Sequence, residues 1–217
     1  MRHDLPPAYQ YIESQIKPEN EAQLNARNLS KQIGLDSISI SHTEADLIRF
    51  ITAFVRPQRI VEIGTLTGLS SLYFLDTLSA DGKIWTFEKS PEHAALAQQS
   101  LAAFISSGQC EIKLGDAIQQ LPSIAGEGPF DVIFIDGNKA AYYDYWIWAQ
   151  NNIRAGGLIF IDNVFLAGSV WGDLSKQKFN EKQISRVQKM TKEIIDDKNF
   201  SSTFIPTTEG LLIARKN

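Results

Sequence analysis

Residues 59–70 read RIVEIGTLTGLS, a short apolar run that leads directly into a loop bounded by two glycines. A short run of Ile and Val favours a buried strand, and glycine permits a tight turn and a close backbone approach. After Gly68, apolar residues return at helical spacing, so the stretch predicts a strand, a turn and the start of a helix. The free N–H groups at such a helix N-terminus can bind a carboxylate or another anion.

The chain beyond this stretch repeats the strand-and-helix pattern. Runs rich in Ile, Val and Phe alternate with helical patterns, which is typical of a parallel sheet with helices on both faces. The predicted strands are 59–63, 83–88, 110–114, 130–136, 157–162, 202–205 and 211–215. The predicted core helices are 69–78, 91–106, 117–125, 140–153 and 181–197. Because only a short turn separates the last two strands, we predict that they pair antiparallel.

The segment before the first strand is predicted to be helical. Apolar residues recur at helical spacing in 7–17, 19–34 and 43–55, and either Ser41 or Thr43 caps the third helix. We therefore predict a single domain, 1–217, with an N-terminal helical cover (1–57) and a Rossmann-like core (58–217). The core is α/β, with a seven-stranded, mostly parallel sheet, an antiparallel last strand and helices on both faces.

Acidic residues stand at the ends of five consecutive predicted strands. They are Glu62, Glu88, Asp116, Asp136 and Asp162. In open α/β sheets, ligands bind at the carboxyl ends of the strands. Packing does not explain so many carboxylates at one edge, because a buried charge is costly without a partner. We expect at least three of them to be functional.

The glycine spacing of the first loop narrows the choice of cofactor. Dinucleotide-binding loops read G-x-G-x-x-G, whereas this loop reads E-x-G-x-x-x-G and lacks the glycine that admits a pyrophosphate. Glu62 suits the cationic amino group of an aminoacyl moiety, and Glu88, 20 residues after Gly68, is placed to accept hydrogen bonds from a ribose. We therefore expect S-adenosylmethionine. The loop and the next strand ends complete the candidate cofactor-binding set with Gly64, Thr65, Ser70, Asp116 and Ala117.

Two later strand ends predict a metal site. Asp136 ends one strand and Asp162-Asn163 end the next, so three oxygen donors converge if the strands are neighbours. Oxygen ligands without His or Cys favour a hard cation, and we expect Mg²⁺, with Mn²⁺ or Ca²⁺ as alternatives. Lys139 follows Asp136 by three residues. A nearby cation and partial burial would lower its pKa, which makes it a candidate general base.

These motifs resemble those of the cation-dependent O-methyltransferases, which include caffeoyl-CoA O-methyltransferase and catechol O-methyltransferase. The resemblance runs from about Ile38 to the C-terminus and rests on EIGTLTGLS (62–70), FIDGNK (134–139) and DNVFLAGSV (162–170). It implies the class I methyltransferase fold, metal ligation by Asp136, Asp162 and Asn163, and catalytic roles for Lys139 and Asp136.

The resemblance also implies a cofactor site and a substrate class. Glu62, Gly64, Ser70, Glu88 and Ala117 would contact S-adenosylmethionine, and Asp136 and Tyr145 would lie near its aminoacyl end. The acceptor would be a small catechol-like or phenolic compound, and the protein would be a homodimer. Three segments depart from the family pattern and leave the acceptor's identity open: Glu88 replaces Asp, Gly137-Asn138 replaces Ala-Asp, and Thr208-Glu209-Gly210 replaces Gly-Asp-Gly.

The aromatic residues near these motifs have less specific patterns. Trp146 and Trp148 lie in a helical pattern and are expected in the core. Phe165 and Trp171 follow the proposed metal pair, where they either stack on an aromatic acceptor or pack locally.

Composition restricts the remaining function classes. The net charge is −4 and Lys and Arg are not clustered, which argues against a nucleic-acid or membrane surface as partner. The polar N-terminus has no signal-peptide pattern, so we predict a cytoplasmic protein, and Cys110 is expected to be a buried thiol. Three alternatives stay open: a metal-independent methyltransferase, a nucleotide-linked oxidoreductase and a non-catalytic binding protein with this fold.

Overall fold

The protein's structure is a computed structural model that describes residues 6–173 and 178–217. The first five residues of the predicted N-terminal cover therefore lie outside the described residues. The helices are α1 (Pro7–Gln15), α2 (Glu21–Gln32), α3 (His42–Ala53), α4 (Leu69–Leu75), α5 (Pro91–Ser100), α6 (Ala102–Ser106), α7 (Ala117–Gln120), α8 (Tyr142–Asn152) and α9 (Glu181–Asp196). The strands are β1 (Arg59–Ile63), β2 (Lys83–Glu88), β3 (Cys110–Leu114), β4 (Phe130–Ile135), β5 (Ile153–Ile161), β6 (Phe200–Ile205) and β7 (Leu211–Lys216).

The strands form one sheet in the order β3-β2-β1-β4-β5-β7-β6. Pairs from β3 to β5 are parallel, and β7 is antiparallel to both of its neighbours. This confirms the predicted mostly parallel sheet with an antiparallel last strand. Strand order reverses between β1 and β4, and such a switch point opens a crevice at the carboxyl ends of the strands. The loops after β1 and β4 therefore border the expected ligand site.

Most element boundaries differ from the prediction by a few residues, and three differences change the element itself. The predicted helix 91–106 is divided at Leu101, and the predicted helix 117–125 changes to a 3₁₀ turn at Leu121. The strand predicted at 157–162 begins at Ile153, because a register shift between Phe130 and Val132 lets pairing with β4 continue through a glycine-containing stretch. Such a bulge depends on tertiary pairing, and the sequence did not indicate it because glycines are also typical of loops.

Both faces of the sheet are buried. Along β4, Val132 and Phe134 pack into one hydrophobic cluster, whereas Ile133 and Ile135 pack into the other. Alternate strand residues point to opposite faces, so this division places helices on both sides, as predicted. Cys110 is buried, and burial raises the pKa of its thiol to about 12, which agrees with a structural thiol.

The N-terminal helices attach to the core through apolar and polar contacts, with Ala26 and Ile48 buried in the same cluster as Phe134. Ser41, not Thr43, caps α3 in a capping box with Glu44. Gln23 of α2 donates to Asp76 Oδ2 after α4 at 3.0 Å. In α1, Tyr9 Oη accepts from the backbone N–H of Thr208 at 3.1 Å. Among the described residues, none of the helices has the length and apolarity needed to cross a bilayer.

Candidate active site

The tips of β4 and β5 bring two carboxylates side by side. Ile135 pairs with Ile161 in the parallel register, so Asp136 and Asp162 are the next aligned pair. The backbone continues the ladder, because Asp136 N donates to Ile63 O at 2.9 Å and Asp162 N donates to Ile135 O at 3.0 Å. Neighbouring strands lie about 4.8 Å apart, so both acids stand at one edge of the sheet.

Gly64 allows the loop after β1 to approach this edge. Its φ is +103°, and a Cβ at this position would lie 2.3 Å from the carbonyl oxygen of Asp136. That distance is an overlap with backbone, which no side-chain rotation relieves. A glycine is therefore required where the ends of β1 and β4 meet.

A cavity of about 440 Å³ opens at these strand ends. Eight of the residues chosen from the sequence line it: Gly64, Glu88, Asp116, Ala117, Asp136, Lys139, Tyr145 and Asn163. The structure thus brings most of the candidate cofactor, catalytic and metal residues around one space. The other four, Glu62, Thr65, Ser70 and Asp162, do not line it.

Glu88 is held by backbone at one end of the cavity. Its Oε2 accepts from Leu66 N and its Oε1 from Ser90 N, both at 2.8 Å. His93 Nδ1 lies 3.7 Å from Oε1. At the next strand end, Asp116 caps α7 by accepting from Ile118 N at 3.0 Å. Both carboxylates are thereby oriented by the chain, which fits groups that receive a ligand without rearranging.

Glu62 faces the opposite side of β1 from the cavity-lining Ile63. Its fully buried carboxylate accepts hydrogen bonds from Ser71 Oγ and from Thr86 Oγ1, the latter at 2.6 Å. Its other oxygen, Oε1, has no hydrogen-bond partner among the described residues. Burial raises the pKa of Glu62 to about 7, although the hydroxyls of Ser70, Ser71 and Thr86 favour the charged form. The orphaned oxygen fits a cationic partner.

Thr65 and Tyr145 differ in how they relate to the cavity. Thr65 Oγ1 hydrogen-bonds Thr86 Oγ1 at 2.6 Å, so the hydroxyl stabilises the turn beside Glu62. Tyr145 is buried on the cavity wall. Burial, with the charge of Asp116, raises the pKa of its hydroxyl to about 12. It is therefore a neutral hydrogen-bonding group near neutral pH.

Lys139 is the centre of the polar network at the other end of the cavity. Its ammonium donates to Asp136 Oδ1 at 2.8 Å, to Asn163 Oδ1 at 2.6 Å and to the hydroxyl of Tyr142. The hydroxyl of Tyr142 in turn donates to the carbonyl of Asp162 at 3.0 Å. The network joins the start of the Lys139–Ala141 turn to the tips of β4 and β5.

The donor chemistry at this end suits a hard cation. Two oxygens, from Asp136 and Asn163, already converge on one positive charge, and the buried carboxylate of Asp162 accepts from Asn163 N at 2.7 Å. Asn163 has a φ of +57°, a left-handed conformation that Asn tolerates and that turns the chain after β5. No cluster of three or more His, Cys, Asp or Glu occurs in the described ranges, so a cation here would need the amide oxygen of Asn163 as a ligand.

Several cavity residues had no sequence motif to identify them. His93, Lys89 and Phe179 line the wall, and Tyr142 supports Lys139 from behind it. Glu209 also lines the wall, and the sequence marked it only as a departure from the family pattern. Lys139 and Tyr142 are three residues apart where a helical pattern begins. This spacing is the local signal that could have indicated their contact.

The aromatic predictions have separate outcomes. Trp146 and Trp148 pack in the core against Phe200 and Phe130, as predicted. Phe165 and Trp171 pack on each other with centroids 5.3 Å apart, and neither lines the cavity. Local packing is thus the alternative that the structure supports for this pair.

The sheet order, the antiparallel β7 and the cavity at the switch point are the architecture of the Rossmann-like methyltransferases. A family model described as O-methyltransferase matches residues 13–217. The chain therefore belongs to the O-methyltransferase family.

Named relatives and a solved structure support the same assignment. A catechol O-methyltransferase from Niastella koreensis is 35% identical over 169 residues, which cover 77% of this chain and 76% of that protein. A catechol O-methyltransferase from Mycobacterium tuberculosis is 30% identical over 160 residues, 74% and 72% of the two chains. The O-methyltransferase TomG from Streptomyces achromogenes, in complex with S-adenosylmethionine, aligns with a TM-score of 0.87 at 26% identity, covering 99% and 98%.

Proposed function

We propose that this O-methyltransferase uses S-adenosylmethionine and a divalent cation to methylate one hydroxyl of a small catechol-like compound. The observation that carries the proposal is the convergence of Asp136 Oδ1 and Asn163 Oδ1 on one positive charge. This point borders a cavity whose far end presents the backbone-held carboxylate of Glu88. The reaction would move a methyl group from the sulfonium sulfur to the acceptor oxygen.

The cofactor end has features that fit S-adenosylmethionine. Gly64 lines the cavity wall beside Glu88, whose carboxylate is held by backbone N–H groups. Glu88 would accept hydrogen bonds from the ribose hydroxyls. The complex of TomG with this cofactor supports the proposal, because the two chains share the fold over nearly their whole length.

Asp136, Asp162 and Asn163 would hold the cation, with Mg²⁺ preferred for an all-oxygen set. When bound, such a cation lowers the pKa of a hydroxyl that it contacts. Lys139, whose side chain is 16% exposed, would take the proton from that hydroxyl as a neutral amine, after its ammonium has released a proton to solvent. Tyr142 orients Lys139, and the protein contributes mainly alignment and charge placement.

The cavity and the named relatives support a small aromatic diol as acceptor. Ile38 and Phe179 give the cavity apolar surface near Lys139 and Asn163, and a flat ring suits such a wall. Both relatives described above are named catechol O-methyltransferases.

One observation favours a second candidate, a methyltransferase of the same family that needs no metal. The Lys139 ammonium already neutralises Asp136 and satisfies Asn163. In that case the lysine would supply the positive charge beside the acceptor by itself.

A methyl-transfer assay over a catechol panel, with Mg²⁺ or with excess chelator, separates these candidates. We expect methylation of one hydroxyl of a vicinal diol, loss of activity in chelator and recovery when Mg²⁺ is restored. Monophenols of the same size are the matched controls, because they lack the second oxygen. Full activity in chelator would reject the cation-dependent mechanism and favour the metal-independent one.

A further inference from the structure

The Lys139 ammonium occupies the point where the two candidate cation-binding oxygens converge. It donates to Asp136 Oδ1 at 2.8 Å and to Asn163 Oδ1 at 2.6 Å. The side chains of Lys139 and Asp136 are only 16% and 20% exposed, so water screens this ion pair weakly. Charge-assisted hydrogen bonds of this kind are among the stronger polar contacts in proteins.

A divalent cation and this ammonium cannot share these oxygens. Mg²⁺ binds oxygen at about 2.0–2.1 Å, so a cation on Asp136 and Asn163 would stand within van der Waals contact of the ammonium. Two positive charges at that separation repel strongly in a partly buried site. The ammonium must therefore leave Asp136 and Asn163 before a cation is ligated there.

Tyr142 provides the position to which the ammonium can withdraw. Its side chain is fully buried, and its hydroxyl accepts a hydrogen bond from Lys139 while donating to Asp162 O at 3.0 Å. The ammonium also lies 4.7 Å from the centroid of the Tyr142 ring, within the range of a cation–π interaction. These two interactions do not involve Asp136 or Asn163, so they persist when those oxygens bind a cation.

We infer that Lys139 is an internal counter-cation that a divalent cation must displace, and that Tyr142 holds the displaced ammonium. The inference rests on the proposed function, because it uses the same oxygens as cation ligands. It assigns to Tyr142 a positioning role, and it makes the affinity for the cation a competition within the chain.

The competition predicts opposite effects for two substitutions. Lys139→Met keeps the length of the side chain but removes the competing charge, so the cation should bind roughly tenfold more tightly, the scale of one lost charge-assisted contact. Tyr142→Phe removes the contact that the ammonium keeps after it leaves Asp136 and Asn163. Because that contact is present before displacement too, only its strengthening counts, and binding should weaken by up to about threefold. Lys89→Met removes the charge of a lysine paired with Asp116 on the same cavity and should leave the affinity within about twofold.

The experiment is a Mn²⁺ titration of the full, cofactor-free chain, with free Mn²⁺ measured by electron paramagnetic resonance. Wild type, Lys139→Met, Tyr142→Phe, Lys89→Met and Asp136→Ala are compared at one pH and ionic strength, and circular dichroism confirms that each is folded. Methyl transfer is then measured at saturating Mg²⁺. We expect Lys139→Met to bind Mn²⁺ more tightly and yet to turn over more slowly, opposite changes that general structural damage does not produce.

The possible results separate this inference from the proposed function. If wild type and Lys139→Met bind Mn²⁺ equally, and Asp136→Ala does not bind it, the displacement is wrong while the cation site stands. If no variant binds Mn²⁺, both the displacement and the cation-dependent function are wrong. If Lys139→Met binds more tightly but Tyr142→Phe matches wild type, the displacement holds and the role of Tyr142 is wrong.

Discussion

The two ends of the cavity fix their polar groups in different ways. At the cofactor end, backbone N–H groups of Leu66 and Ser90 orient Glu88. At the proposed acceptor end, Asp136, Asn163 and Lys139 bind one another through their side chains. A backbone-held group keeps its position whether or not a ligand is present, whereas side-chain partners can be exchanged.

The two ends therefore differ in whether their side chains must rearrange when a ligand binds. The cofactor end is preorganised, so substitutions there should change stability or cofactor affinity. The acceptor end neutralises its own charges, so substitutions there should change turnover more than the fold. Substitutions at each end can therefore test this difference between the two ends.

Asp136→Asn is expected to lower kcat/KM by roughly a hundredfold to a thousandfold, the scale of losing one preorganised electrostatic group. The amide keeps the shape of the side chain but loses the charge that holds Lys139 and would bind the cation. Steady-state kinetics with Mg²⁺ and a catechol measures the loss, and thermal unfolding should be nearly unchanged. The exposed residue Asp81, changed to Asn, is the control and should keep full activity.

Glu62 should make stability depend on pH. Burial raises its pKa to about 7 from 4.5, so the folded chain retains this proton as pH rises from 4.5 to 7 while the unfolded chain releases it. The contribution of Glu62 to the free energy of unfolding is therefore fully present below pH 4.5 and is lost as the pH rises through about 7. The loss amounts to about 3 kcal/mol at most. Denaturant unfolding across this range should show a smaller decline for Glu62→Gln than for wild type. The exposed Glu92→Gln is the control, and an equal decline in all three proteins would contradict the prediction.

Gly64→Ala should destabilise the protein by about 1–3 kcal/mol, because the new Cβ is forced against backbone in a left-handed conformation. The contacted atom is the carbonyl oxygen of Asp136, so the distortion would also spread to the acceptor end. Urea unfolding gives the change in free energy. Gly126→Ala is the matched control, since a Cβ there meets no atom within 4 Å. Equal stabilities would show that the close approach of β1 and β4 is not required.

Glu88→Gln should raise the KM for S-adenosylmethionine by roughly tenfold, since one charged acceptor is replaced by a neutral one. Turnover at saturating cofactor should change little, because Glu88 lies far from the acceptor oxygens in the proposed arrangement. Varying each substrate in turn separates the two effects. A fall in kcat with an unchanged KM for the cofactor would contradict the assignment of Glu88 to the cofactor half of the cavity.

The fold was predictable because its signals are local and repeated. Alternating strand and helix patterns gave all seven strands, and the acids at the strand ends pointed to one edge of the sheet. Errors arose where pairing or backbone geometry overrode the pattern, as at Ile153, which looked helical but pairs with Phe130. Tertiary pairing decides such boundaries, and a single sequence does not reveal it.

The site was predictable in its strand-end residues and less so in its contacts. Gly64, Glu88 and Asp136 belong to motifs with a local mechanism, and all of them border the cavity. The network of Lys139 with Asn163 depends on two loops meeting from separate strands, 24 residues apart, which spacing alone does not determine. The orientation of Glu62 away from the cavity depends on which face of β1 it occupies.

The most direct test of the cation site is a crystal structure with Mn²⁺ and S-adenosylhomocysteine, measured at a wavelength where manganese scatters anomalously. We expect one anomalous peak at oxygen-ligand distance, about 2.2 Å, from Asp136, Asp162 and Asn163, with the Lys139 ammonium moved towards Tyr142. The proposed cation site would be contradicted if the cofactor end were occupied but these three residues showed no anomalous density. In that case Lys139 would still be bound to Asp136 and Asn163.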